Sequence, residues 1–123
     1  GHAHPLTRGL PSSFKIMQWH HAEVTRLPAG AEVLASSAVS PVQVMSIGHE
    51  IMATQFHGEL TPELIDRWAQ IPQYLEWLDQ AMGPGAYSRV KNQSRLQLTR
   101  TERVSRAMFH NLLASRRSLR RAA

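Results

Sequence analysis

A chain of 123 residues that is 42% hydrophobic, with three Trp, three Phe and two Tyr, fits one compact domain with a small apolar core. No run approaches the roughly 18 consecutive apolar residues that would span a bilayer, and Gly1-His2-Ala3-His4 lacks the apolar stretch of a secretory leader, so a soluble cytoplasmic protein is expected. Cysteine is absent, which excludes disulfides, thiolate metal sites and a cysteine nucleophile from these residues; the formal charge of +5 is unevenly divided, four Lys/Arg against eight Asp/Glu over 1–88 and ten against one over 89–123.

The first half reads in period two, in short apolar runs punctuated by Pro, Gly and Ser, which is the pattern of strands. Four are expected before residue 58: Phe14–Trp19, Glu32–Ala35, Val42–Ile47 and Ile51–Phe56. Leu27-Pro28-Ala29-Gly30 offers a Pro to fix φ and a Gly to take a positive one, and Ser46-Ile47-Gly48-His49-Glu50 is a short link that should pair strands 42–47 and 51–56 antiparallel.

The grammar then changes. Thr61-Pro62-Glu63-Leu64 opens a helix, with Thr61 as N-cap, Pro62 in the first turn and an acidic residue beside it. Leu64, Ile65 and Trp68 mark one apolar face, and Tyr74, Leu75, Leu78 and Met82 mark another beyond Pro72, ended by Gly83-Pro84-Gly85. A third helical stretch begins near Ala86, and Thr99-Arg100-Thr101-Glu102 has the form of a capping box opening a long last helix. Its expected buried stripe is Val104, Met108, Leu112, Ser115 and Leu119, widened by Phe109 and Leu113, with Arg103, Arg106, Arg117 and Arg121 facing elsewhere. The expected class is therefore α/β within a single domain over 1–123, strand-rich over 5–60 with short strands between 14 and 56, and helical over 61–121.

Chemistry concentrates at Gln55-Phe56-His57-Gly58-Glu59, an expected strand end carrying an imidazole and, two residues later, a carboxylate. An imidazole that takes a proton from a nucleophile needs an acceptor on its other nitrogen to fix tautomer and orientation, and a nearby Glu can supply it. A His-x-Glu tripeptide is common as a mere polar strand terminus, so its context decides.

That context runs through Trp19-His20, Glu23 to Ala31, Val33-Leu34-Ala35-Ser36-Ser37, Gln43 and finally Gln55 to Glu59, and in order and spacing it resembles the class I glutamine amidotransferases. In particular the stretch looks like stand-alone relatives of the glutaminase domain of GMP synthase, whose usual ending here is Gln-Phe/Tyr-His-Pro-Glu. The resemblance covers Pro5 to Leu60 strongly and the helices to Leu113 more weakly. It implies the carboxyl-terminal half of a flavodoxin-like amidotransferase domain. It also implies a chemistry: a cysteine thiolate attacks the glutamine side-chain amide, a glutamyl thioester forms, and ammonia passes to an acceptor. Under that likeness His57 is the general base and Glu59 its orienting carboxylate, while Trp19-His20 lies near the family's pocket and is a weaker candidate.

Two departures bear on activity. The family's Gly-x-Cys-x-Gly turn has no counterpart in this sequence, so the covalent route should be lost rather than weakened, and the chain should be inactive alone. Gly58 stands where the family commonly has Pro, which is expected to loosen the backbone between His57 and Glu59. A half-domain of this kind would expose strand edges and an apolar face, so a homo-oligomer or a complex with a cysteine-bearing half is expected, with glutamine as substrate only when that half is supplied.

The alternative is a non-catalytic interaction module. Eight Arg between 95 and 121 could contact nucleic-acid phosphates or a protein partner. A solvated helix face whose stem carbons cover the sheet is the preferred reading, because interleaved aromatics, helix-turn-helix and zinc patterns are absent, so nucleic acid is not an expected partner. A membrane partner is not expected either. Of the seven His, His2 and His4 lie at the terminus and His20 and His21 are adjacent, so no catalytic metal is expected; no cofactor is expected, and no phosphate-binding Gly-rich loop appears.

Overall fold

A computed structural model describes residues 4–20 and 22–122, with side chains described as far as residue 118. His2, His21 and the side chains of Leu119 and Arg121 lie outside the described residues.

Pro28 and Gly30 form the expected turn: Gly30 takes φ +75°, and the Ala31 N–H donates to the Pro28 carbonyl at 3.1 Å. Strand β1 (Ala31–Ala35) then pairs antiparallel with β2 (Val44–Ile47), with a register shift between Val33 and Ala35. Gly48, at φ +55°, starts a tight link into β3 (Ile51–Thr54), which pairs antiparallel with β2 from Ile47↔Ile51 to Val44↔Thr54. The sheet is a three-stranded meander in the order β1-β2-β3.

Beyond Thr54 one further backbone bond, from the Gln55 N–H to the Gln43 carbonyl (2.9 Å), is joined by side-chain bonding. The Gln55 amide donates to the Val42 carbonyl (2.6 Å) and to Ser40 Oγ (3.1 Å), while its oxygen accepts the Val24 N–H (2.8 Å). One Gln thus stitches two loops to the strand end.

Phe14–Trp19 does not form the expected strand. Its apolar residues still turn inward, with Met17 buried and Phe14, Ile16 and Trp19 half-buried, while Lys15 and Gln18 are exposed. Apolar character dictates which side chains turn inward; a ladder also needs a neighbour in register, and this segment has a single backbone bond to the rest of the described residues, from the His57 N–H to the Met17 carbonyl (3.1 Å).

Helix α1 (Pro62–Trp68) starts as expected, Thr61 Oγ1 accepting the Leu64 N–H at 3.2 Å. Helix α2 (Pro72–Met82) ends at Gly83, φ +83°, where the Arg89 guanidinium donates to the Met82 (2.6 Å) and Pro84 (2.7 Å) carbonyls. Helix α3 (Ala86–Ala122) is continuous and about 55 Å long at 1.5 Å per residue. The capping box expected at Thr99 is therefore not a helix start: Thr99 is an exposed mid-helix residue. The four residues fit a cap by type, but nothing before them breaks the helix, and their N–H groups have partners in the preceding turn.

Two apolar clusters hold strands and helices together. One joins Met17, Leu60, Ile65, Leu78, Ala86 and Val90; the other joins Val44, Phe56, Val104 and Met108. Phe109 and Leu113 do not widen the buried stripe of α3 but are exposed, and Met82 leaves the α2 face in the same way. Arg103, Arg106 and Arg117 are exposed, as expected. Asn111 ties α3 to the amino-terminal segment, its amide donating to the Leu6 (3.1 Å) and Arg8 (2.9 Å) carbonyls. Strands followed by helices make an α/β fold. Among the described residues no helix is long and apolar enough to cross a membrane.

Candidate active site

His57 and Glu59 occupy the short turn between the two clusters. Phe56, on one side, is buried in the sheet cluster and Leu60, on the other, in the helical cluster, so both ends of the segment are anchored by apolar burial. The His57 N–H is fixed to Met17, and the Leu60 N–H reaches back to the His57 carbonyl at 3.5 Å.

This backbone brings the two sequence candidates together: His57 Nδ1 lies 2.7 Å from Glu59 Oε1. Nε2 lies 3.2 Å from the carbonyl of Trp19. Both partners are acceptors, so a ring with one proton makes one of these bonds and a doubly protonated ring makes both. The imidazole is about one-third exposed and the carboxylate 60% exposed, so the pair faces solvent on one side.

The carboxyl of Glu59 is held below its ordinary value. Partial burial is the largest single influence and pushes it up, but the hydrogen bond to His57, the bond from its own backbone N–H and the charge of His57 together pull it down further. At neutral pH it is a carboxylate able to orient the ring.

Aromatic packing completes the setting. Trp68, at the end of α1, meets the His57 ring edge-on, with centroids 5.4 Å apart at 83°, and also contacts Trp19 (5.2 Å) and Tyr74 (6.3 Å). Trp19 thus reaches the site twice, through its carbonyl on Nε2 and its ring on Trp68. His20 does not join it: its ring nitrogens are taken by the Ala22 carbonyl (2.7 Å) and Gln18 Oε1 (2.9 Å).

Trp68 and Ser105 are contacts the sequence reading missed. Ser105 Oγ donates to the Gly58 carbonyl at 3.0 Å from 47 residues downstream, and no local spacing signals such a contact. Gly58, where a looser backbone is expected, accepts this bond from α3 at its carbonyl.

A separate groove of about 1080 Å³ is lined by Phe14, Ile16, Val44, Phe56, Val90 and Met108 among others, and by neither His57 nor Glu59. His4 is not a loose terminal residue, because its Nδ1 accepts the Leu6 N–H at 3.2 Å. Among the described residues no three His, Asp or Glu side chains gather as a metal site.

The family model described as glutamine amidotransferase class-I matches residues 1–68. The chain is 35% identical over 71 residues to a GMP synthase [glutamine-hydrolyzing] of Aeropyrum pernix, covering 54% of this chain and 14% of that protein. It is 40% identical over 57 residues to the corresponding protein of Thermomicrobium roseum, covering 46% and 11%. To gamma-glutamyl peptidase 3 of Arabidopsis thaliana it is 39% identical over 56 residues, covering 46% and 22%. The chain thus spans between 11% and 22% of the length of these relatives. No solved structure matches it significantly.

Proposed function

The chain belongs to the class I glutamine amidotransferases, and from that premise we propose that it contributes His57 and Glu59 to the hydrolysis of a glutamine side-chain amide to glutamate and ammonia, with the ammonia passed to an acceptor. The observation that carries this reading is the 2.7 Å contact between His57 Nδ1 and Glu59 Oε1, which leaves Nε2 as the nitrogen for a nucleophile's proton.

The nucleophile must come from outside these 123 residues, because they contain no cysteine. A cysteine-bearing half-domain, alone or within an oligomer, is the partner this requires. In the assembled site the ring carries its one proton on Nδ1, donated to Glu59, and the unprotonated Nε2 turns from the Trp19 carbonyl to take the thiol proton. The resulting thiolate attacks the amide carbon, and the imidazolium returns the proton to the departing ammonia, leaving a thioester. Water, giving a proton to Nε2, then adds to the thioester carbon, and the C–S bond breaks to release glutamate and the thiol. Glu59 holds the ring through these transfers. Two of the relatives are named for glutamine hydrolysis and one for gamma-glutamyl peptidase activity, and a glutamyl γ-carbonyl is common to both names.

Ammonia release from glutamine tests the reading. The purified chain alone should release none. Mixed with the cysteine-bearing half of a class I amidotransferase it should gain activity, which His57→Ala lowers by about 10³-fold or more. Activity of the chain alone, or reconstituted activity indifferent to His57→Ala, would overturn it.

A further inference from the structure

We propose that Ser105 is a positioning residue for the His57–Glu59 pair, acting through the peptide between Gly58 and Glu59; its bearing on catalysis rests on the glutaminase reading, its grip on the pair does not. Gly58 is not among the glycines with positive φ, so backbone conformation does not demand a glycine there. Space does. A Cβ built on residue 58 would collide with Ser105 Oγ and stand 3.3 Å from Ser105 Cβ. The same hydroxyl donates to the Gly58 carbonyl at 3.0 Å.

That carbonyl belongs to the peptide plane that carries the Glu59 nitrogen, so fixing its direction fixes where the Glu59 side chain starts. On the other side the His57 N–H is bound to the Met17 carbonyl, so the turn is held from both sides.

Ser105 is itself well placed to act as a fixed point, because its neighbours Val104 and Met108 are each 3% exposed in the core. Its bond is also unlike those of other serines on α3. Ser94 donates to the Lys91 carbonyl and Ser118 to the Ala114 carbonyl, each back into its own helix, whereas Ser105 reaches outward to another element. A residue beyond the 1–68 stretch matched by the family model therefore sets the geometry of the pair within that stretch.

The test is the NMR resonance of the His57 Nδ1 proton in the full chain, identified by its loss in His57→Gln and shifted downfield by the bond to Glu59. Ser105→Ala should abolish it or move it upfield while the Tm stays close to that of the unmodified chain. Ser118→Ala, the same change at a serine bonded within its helix, should leave it in place. Gly58→Ala should displace the hydroxyl and produce the same loss, and adding Ser105→Ala to it should change nothing more, as non-additivity requires of two residues acting through one contact. The proposal is overturned if the resonance is intact in Ser105→Ala or in Gly58→Ala, or if Ser118→Ala moves it equally. Because the readout needs neither glutamine nor a cysteine, a failure to reconstitute ammonia release with the resonance intact counts against the glutaminase reading alone.

Discussion

Glu59 contributes to stability only while it is ionised. Its folded carboxyl sits below the ordinary value of 4.5, so between the two values the unfolded chain binds the extra proton. The contribution is complete above 4.5 and is lost as pH falls through the lower, folded value. Since the carboxylate is 60% exposed and screened by solvent, the contribution stays below about 1 kcal/mol. Glu59→Gln should therefore reduce the stability measured by urea unfolding near neutrality by less than about 1 kcal/mol, and that loss should shrink as pH falls below 4.5. A loss that does not change with pH would show that the carboxylate charge is not what the native state uses. Asp66 lies below its ordinary value as well, through hydrogen bonds from Lys91 and then Tyr87, and that network links α1 to α3 two residues before Trp68.

Helix boundaries separate two superficially similar threonines. Thr61 accepts the Leu64 N–H and truly begins a helix, so Thr61→Ala should cost about 1 kcal/mol in chemical denaturation. Thr99 sits exposed inside α3, so Thr99→Ala should be neutral or stabilising by up to about 0.7 kcal/mol. Equal destabilisation by both would argue for a break in α3. The contrast also marks how far the sequence was legible. Starts and stops written in local chemistry were readable: Thr61-Pro62, Gly83-Pro84-Gly85 and the Gly48 turn all appear where the residues place them. The His57–Glu59 contact was readable because a single residue separates its partners. Features that depend on what lies alongside were not, which is why Phe14–Trp19 shows strand alternation without a ladder. Phe109 and Leu113 fit an apolar stripe by spacing yet are exposed, and Ser105 and Trp68 reach the site through tertiary packing alone.

The molecule leaves apolar material uncovered at its sheet margins. Strands β1 and β3 each lack a partner on one side among the described residues, and Val33 (43%) and Ile51 (55%) stand exposed on them. Light scattering should show mass rising with protein concentration, and Val33→Lys with Ile51→Lys should lower it towards that of one chain; a monomer at all concentrations would remove the case for association through these margins. The longest ties in the fold concern time rather than space. Asn111 is bound to carbonyls 105 and 103 residues earlier, and Ser105 to one 47 residues earlier. Loops of that size are slow to close, and their contacts reward the chain only after most of its entropy has been surrendered. A chain emerging residue by residue carries both His57 and Glu59 well before α3 exists. The grip on their turn thus waits on synthesis of α3 as far as Ser105, 46 residues after Glu59 has left the ribosome's catalytic centre.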